Sequence, residues 1–217
     1  DADRDDPGPL PGDRRYAFIE ANPRLQVEHT VTEEVYGVDL VRAQLQIASG
    51  GTLASLRLRQ GDLPAPRGYA LQVRVNCETV GPTGTILPSS GTLTRFEPPT
   101  GRGIRVDTCA HVGFRPHAAF DSLLAKVIGH SSSPCFDDVV VRTRRALCEM
   151  RIEGVATNLP LLSKLLEHPD FVANHVHTRF LEDHGLELVT SSASSQGDAY
   201  RDASGQAMED ALVVRAP

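Results

Sequence analysis

In the stretch FIEANPRLQVEHT, five polar residues recur at every second position: Glu20, Asn22, Arg24, Gln26 and Glu28. Two carboxylates, two amides and a guanidinium are the groups that hold a divalent cation, clamp an oxyanion and accept a proton. Magnesium takes oxygen ligands at about 2.0–2.1 Å and commonly uses one or two carboxylates together with substrate phosphates, which suits Glu20 with Asn22 beside it. The planar fork of Arg24 matches bicarbonate, carboxylate or phosphate better than an ammonium does. Glu28, close to that cation, is placed to take a proton from the bound anion, a role worth about 10²–10⁴ in rate. A merely wet strand face favours Thr, Ser and Lys, and this set is richer in ligands than such a face requires.

The two-residue period predicts the element that positions them. Over residues 16–27, Ile19, Ala21, Leu25 and Val27 alternate with the polar set, the signature of a strand whose same-face side chains stand about 6.6–6.8 Å apart. Pro23 cannot donate to a ladder, so it belongs at an edge or at a turn that curls the line into a pocket. Thr30 followed by Glu33 fits a capping box, and Val38, Val41, Leu45 and Ala48 carry helical spacing to the stop at Gly50-Gly51.

After a connector with Pro64, Pro66 and Gly68, the chain becomes rich in strand signals. Leu71, Val73 and Val75 alternate with Gln72, Arg74 and Asn76. Further strands are predicted at 92–96, 103–107 and 123–128, with turns at Gly81-Pro82, Gly84 and Pro88. Ser133-Pro134 opens a predicted helix over 135–150, and Thr157-Asn158 precedes another over 159–167. The class is α+β, with a mixed, mainly antiparallel β-rich region and flanking helices. Residues 1–15 read as an acidic loop or frayed end. From about 187 the run SSASSQGDAYRDASGQ reads as a linker, and ALVVRAP as the first strand of a further unit.

Composition narrows the partners. The 217 residues are 40% hydrophobic, enough for a core, and the net charge of −6 argues against nucleic acid, since no basic stripe is present. No apolar run approaches the roughly 18 residues of a membrane span, and the N-terminal DADRDDPGPLPGDRR lacks the regions of a signal peptide, so a soluble cytoplasmic protein is expected. Cys77, Cys109, Cys135 and Cys148 are widely spaced, which favours reduced thiols. His175-Val-His177 lacks the further ligands a zinc site needs.

EANPRLQVEHTVTE closely resembles the late ATP-grasp motif of the biotin carboxylase component of biotin-dependent carboxylases. In order, RVNCE at 74–78, LPSSGTLTRFEPP at 87–99, FDSLLAKVI at 120–128 and IEGVATNLPLL at 152–162 resemble the C-terminal domain of that component. The resemblance spans roughly residues 16–183. It implies that residues 16–66 end an ATP-grasp domain, 67–186 form the biotin carboxylase C-terminal domain, and 187–217 lead towards a biotinyl carrier domain that is absent.

Carried over position by position, the resemblance gives Glu20 and Asn22 to magnesium (or manganese), and Arg24, Gln26 and Val27 to bicarbonate. It makes Glu28 the base that deprotonates bicarbonate. Bicarbonate attacks the γ-phosphate of ATP to give carboxyphosphate, whose CO2 passes to the biotin ureido nitrogen, and Arg74 stabilises the enolate formed on the way. The expected cofactors are Mg2+, ATP and biotin. The expected partners are a biotinyl carrier domain and a carboxyltransferase, with a homodimer usual in the family. The family's N-terminal domain, glycine-rich lid and ATP lysines have no counterpart here, so the isolated chain is expected to be an inactive slice of an acyl-CoA, pyruvate or urea carboxylase. A non-catalytic subunit that complements a separate ATP-binding half is one alternative. Carbamoyl-phosphate synthetase, which shares Glu-x-Asn-Pro-Arg, is another, but Gln26-Val27-Glu28-His29 and the β-rich region over 70–128 speak against it.

Overall fold

Leu71, Val73 and Val75 drive one face of strand β1 (Tyr69–Asn76) into the main core, and the polar residues between them give the opposite face a different task. The computed structural model describes residues 20–81, 85–116, 121–193 and 214–216. Ahead of β1 lie helices α1 (His29–Tyr36) and α2 (Leu40–Ala48). After it come β2 (Glu78–Val80), β3 (Ile86–Pro88), β4 (Arg95–Glu97), β5 (Ile104–Thr108), β6 (Leu123–Ser131) and helix α3 (Phe136–Glu149). The chain continues through β7 (Arg151–Glu153), α4 (Leu159–Leu165), α5 (Pro169–Val172), α6 (Phe180–Ala193) and β8 (Val214–Ala216).

The central sheet is antiparallel with strand order β5-β6-β1-β8, flanked by two antiparallel pairs, β2-β3 and β4-β7. Its apolar face is covered by α3 and α4, which bring Val139, Val140, Ala146, Leu147, Leu161, Leu162 and Leu165 onto Leu71, Val73, Val75 and Val127. Gly129 lets α3 lie close, because a Cβ there would overlap the hydroxyl of Thr143, which instead donates to Val139 O at 2.8 Å. The expected α+β class and β-rich region hold, although β2, β3, β7, α5 and α6 were not predicted. Three strands are shifted or longer than expected, α3 starts behind Cys135, and Pro134 lies before that cap.

The N-terminal expectations need correcting. Over the described part of residues 16–27 there is no strand: Glu20 to Val27 run as coil and turn, exposed over 20–24 and half-buried over 25–27, with Arg24 N donating to Asn22 O at 2.8 Å. Residues 16–19 lie outside the described residues. The capping box is also absent. Glu28 is the N-cap of α1, Thr30 is buried inside the helix, and the Glu33 carboxylate accepts from Leu40 N at 2.8 Å. Finally, the single predicted helix is two helices. Gly37 takes a left-handed φ of 67° and ends α1, and Asp39 then caps α2 by accepting from Arg42 N at 2.7 Å.

Helix α2 buries only Ala43 and leaves Val41, Leu45 and Ile47 exposed. All four cysteines are free thiols, and only Cys77 is buried. No described helix is long and apolar enough to cross a membrane. Leu162 is fully buried whereas Leu45 is 65% exposed. Urea unfolding is therefore expected to show that Leu162→Ala costs about 2–5 kcal/mol and that Leu45→Ala stays within about 0.5 kcal/mol of the parent.

Candidate active site

The second face of the sheet carries a row of charges. The β1–β6 register sets Arg74 directly opposite Lys126, and the β5–β6 register sets Asp107 on the other side of Lys126. Two cations side by side across a ladder repel, so the arrangement persists only with acids close by. Asp107 Oδ2 lies 3.2 Å from Lys126 Nζ, and Glu28 Oε2 lies 3.1 Å from Arg74 Nη2. Glu28 can reach Arg74 because, among the described residues, its side chain makes no capping hydrogen bond to α1. Lys126 also donates to Val27 O at 3.3 Å, tying the segment ahead of α1 to the sheet.

Helix α1 lies across this face and is held by polar contacts as much as apolar ones. Val31 and Val35 pack on Ala70, the Thr30 hydroxyl donates to Gln72 Oε1, and Glu33 Oε2 accepts from Arg105 Nη1 at 2.7 Å. Arg105 also forks onto Asp107, with Nε and Nη2 donating to Oδ1 and Oδ2 at 2.8 and 3.0 Å. Its hydrogen bonds to Asp107 hold the Arg105 guanidinium above its usual range, against burial and with help from Glu33. For Asp107, burial is the largest single influence and pushes the carboxyl up. The hydrogen bonds from Arg105 and Lys126 together outweigh it and leave the group below its ordinary value.

Three buried polar side-chain atoms have no hydrogen-bond partner among the described residues: Gln72 Nε2, Arg74 Nε and Asn76 Oδ1. All three belong to alternate residues of the same face of β1. An unpartnered buried donor costs about 1–3 kcal/mol, so native structures keep few without a reason. Asn158 pins the strand beside them: its Oδ1 accepts from Asn76 N at 2.9 Å and its Nδ2 donates to Arg74 O at 3.1 Å, where the β1–β6 register shifts. Next along the chain, burial pushes the Cys77 thiol up to about 11, and the neighbouring Glu78 adds to this.

The residues singled out in the sequence fall into separate groups. Glu28 and Arg74 form one pair. Glu20 and Asn22 form another, with Asn22 Nδ2 donating to Glu20 Oε1 at 2.8 Å on an exposed loop. Arg24 is exposed, and Gln26 and Val27 are half-buried, with Gln26 O bonded to His29 Nδ1 at 2.7 Å. Asp121, within the FDSLLAKVI stretch, has a local role, accepting from Leu123 N at 2.9 Å. Sequence reading missed Lys126, Asp107 and Arg105 and gave Glu33 only a capping role. For the three strand residues the available signal was charge on strands whose neighbours are apolar.

Residues 72–183 match the family profile described as the biotin carboxylase C-terminal domain, and residues 10–56 match the ATP-binding domain of the carbamoyl-phosphate synthase L chain. The chain is 41% identical over 174 residues to Biotin carboxylase 1 of Bacillus subtilis, covering 80% of this chain and 37% of that protein. It matches the biotin carboxylase domain of a single-chain bacterial carboxylase at 43% identity and a TM-score of 0.73, over 82% of this chain and 40% of the other. A third match is the biotin carboxylase domain dimer of Hydrogenobacter thermophilus 2-oxoglutarate carboxylase, in complex with MgADP, ADP and bicarbonate. There the identity is 38% and the TM-score 0.70, over 77% of this chain and 35% of the other. The described fold, with its guanidinium and carboxylates on one sheet face, is thus that of a carboxylase's C-terminal domain. The chain belongs to the biotin carboxylase C-terminal domain family, and it spans between a third and two-fifths of the length of these three relatives.

Because Asp107 has a lowered value in the folded state, its contribution to stability is present above its unfolded value near about 3.9 and is lost as pH falls through the folded one. Urea midpoints measured from pH 5 down to 2 should therefore fall less steeply for Asp107→Asn than for the parent. Equal slopes would show that the ion pairs on Asp107 do not couple folding to protonation.

Proposed function

We propose that this chain supplies the bicarbonate-handling side of a biotin carboxylase. That enzyme carboxylates the biotin ureido nitrogen with ATP and bicarbonate, as part of an acyl-CoA, pyruvate or urea carboxylase. The observation that carries this reading is the 3.1 Å pair between Glu28 and Arg74, groups 46 positions apart in the chain that meet beside an Arg74 Nε with no partner among the described residues. Bicarbonate needs a cation to bind it and a base to take its proton, and this pair holds both. The related 2-oxoglutarate carboxylase domain, in complex with bicarbonate and MgADP, supports the same ligand chemistry.

In this reading Arg24, Gln26 and Val27 bind the anion, and Arg74 turns part of its guanidinium towards it. That movement frees the Glu28 carboxylate to accept the bicarbonate proton. Once the proton has left, Arg74 remains as a fixed cation for the oxyanion that develops during carboxyl transfer, on a strand that cannot drift away from it. The exposed oxygens of Glu20 and Asn22 fit a hard divalent cation, Mg2+ or Mn2+, whose other ligands would be water and nucleotide phosphates. When bound, the cation neutralises phosphate charge and biotin supplies the carboxyl acceptor.

Residues 16–66 act in this proposal as the end of an ATP-grasp domain, and the exposed Val41, Leu45 and Ile47 face of α2 is where the remainder of that domain packs. Residues 67–186 form the C-terminal domain, with α6 running on to Ala193 and β8 adding to its sheet beside β1, and the chain leads from there towards a biotinyl carrier domain whose product a carboxyltransferase uses. A homodimer is consistent with the dimeric relative, and the free thiols suit the cytoplasm.

The test uses the full-length carboxylase that carries this segment. Glu28→Gln and Arg74→Ala should each lower free-biotin carboxylation by about 10²–10³, whereas Arg95→Ala, on an exposed strand pair, should leave it unchanged. Full activity in Arg74→Ala would overturn the assignment. The 217-residue chain alone should show no bicarbonate-dependent ATP cleavage, and turnover that is abolished by Arg24→Ala would contradict that expectation.

A further inference from the structure

Four of the eight histidines fall between positions 168 and 184, in a part of the chain that the carboxylation chemistry does not use. Two of them meet. His168 caps α5, its ring accepting at Nδ1 from Asp170 N at 3.2 Å, and it is 8% exposed. His184 and Glu187 stand three positions apart on α6, a spacing that puts both on one side of a helix. One ring nitrogen from each histidine and one carboxylate oxygen of Glu187 all lie within 4.8 Å of one another.

We propose that His168, His184 and Glu187 form a divalent transition-metal site, with zinc the cation that its donors fit best. Two imidazole nitrogens and a carboxylate oxygen are a three-ligand set of the kind zinc accepts, leaving a fourth position for water. Carboxylates and water alone would favour magnesium or calcium, whereas two imidazoles turn the preference towards zinc, cobalt or nickel.

The geometry needs a modest closure. Ligands at about 2.0–2.1 Å from one ion cannot be more than about 4.2 Å apart, so the triangle must tighten by somewhat under 1 Å along its longest side, and by more for a tetrahedral centre. The two imidazoles now pack edge to face, with centroids 4.5 Å apart at 64°. His184 is half-buried and Glu187 exposed, so the closure would come from these two α6 side chains moving towards His168, the more buried partner. His168 is held on its other sides by Phe180, at 5.1 Å between ring centroids, and by Asp170, whose Oδ2 lies 3.9 Å from Nδ1. Ligation through Nε2 needs the ring proton on Nδ1, so metal binding exchanges the cap bond that Nδ1 accepts from Asp170 N for one donated by Nδ1–H to the Asp170 carboxylate, the usual outer partner of a metal-binding imidazole. The ion would join the start of α5 to α6 and so fasten α6 to the domain.

Isothermal titration of the metal-free chain with zinc chloride, followed by visible spectroscopy with cobalt(II), tests the proposal. One equivalent should bind, and the cobalt spectrum should show nitrogen and oxygen ligation without a thiolate charge-transfer band. His184→Gln and Glu187→Gln should each weaken zinc binding by more than about 100-fold, and Asp170→Asn by about 10-fold. His175→Gln combined with His177→Gln should leave binding as it was. Because His168 caps α5 and its loss could unfold the helix, the decisive variants are the two on α6, with circular dichroism to show that they fold. Failure to bind zinc, unchanged binding in both α6 variants, or a thiolate band would each overturn the site. None of these outcomes bears on the carboxylase reading.

Discussion

Two cations placed opposite each other on adjacent strands are the constraint from which this structure is built outward. Arg74 and Lys126 are neighbours in the β1–β6 ladder, and nothing in the backbone pairing separates them. Left alone they would destabilise the sheet where it is most central. Each is met by a carboxylate from a different element, Glu28 from the start of α1 and Asp107 from β5, so the pair is tolerated only when three separate parts of the chain are assembled. The electrostatic demand of the site thus acts as a packing instruction: α1 must cross the polar face, and β5 must pair with β6 in one register.

That demand explains why the two faces of one sheet look so different. Below, α3 and α4 bury an aliphatic core with contacts that any well-sized hydrophobic set could make. Above, α1 is held by hydrogen bonds from Thr30 to Gln72 and from Arg105 to Glu33, with a small apolar patch of Val31, Val35 and Ala70. Polar contacts of this kind specify position more strictly than apolar area does, because a one-residue slip would bury each charge without its partner. A helix whose N-cap must present a carboxylate within 3.1 Å of a guanidinium needs such strictness.

The sequence showed the β1 alternation plainly, because a strand buried on both faces still alternates when one face is polar, and Leu71, Val73 and Val75 cannot be satisfied otherwise. The same rule misread residues 20–27. There the alternation of Glu20, Asn22, Arg24, Gln26 and Glu28 is real in the sequence, yet residues 20–24 are all exposed and no apolar neighbour gives that period a face to bury. Periodicity predicts a strand only where one of its two sets has somewhere to go. Thr30 and Glu33 misled for a related reason: their spacing is that of a capping box, but Thr30 has a buried partner on β1 and Glu33 has Arg105, and these long-range bonds outcompete the local ones. The Glu28–Arg74 pairing could not be read from spacing, since it depends on how a helix crosses a sheet 46 residues away in the chain.

A loop that carries ligands is useful only if it is held without being frozen, and the segment ahead of α1 is anchored at two carbonyls rather than through its chemistry-bearing side chains. Lys126 holds Val27 O and the His29 ring holds Gln26 O. The side chains of Glu20, Asn22 and Arg24 therefore remain exposed, while the backbone that sets their starting point is fixed to the sheet. Arg74 has the converse arrangement, with its backbone locked by Asn158 and one of its donors without a partner among the described residues. Rigid strand and tethered loop thus meet at Glu28, a residue whose backbone starts a helix and whose carboxylate is spared from capping it. Its placement at the junction lets a single small movement of Arg74 exchange an internal ion pair for a bound anion. An arginine paired irreplaceably in the core, or a glutamate committed to its own helix, could not make that exchange.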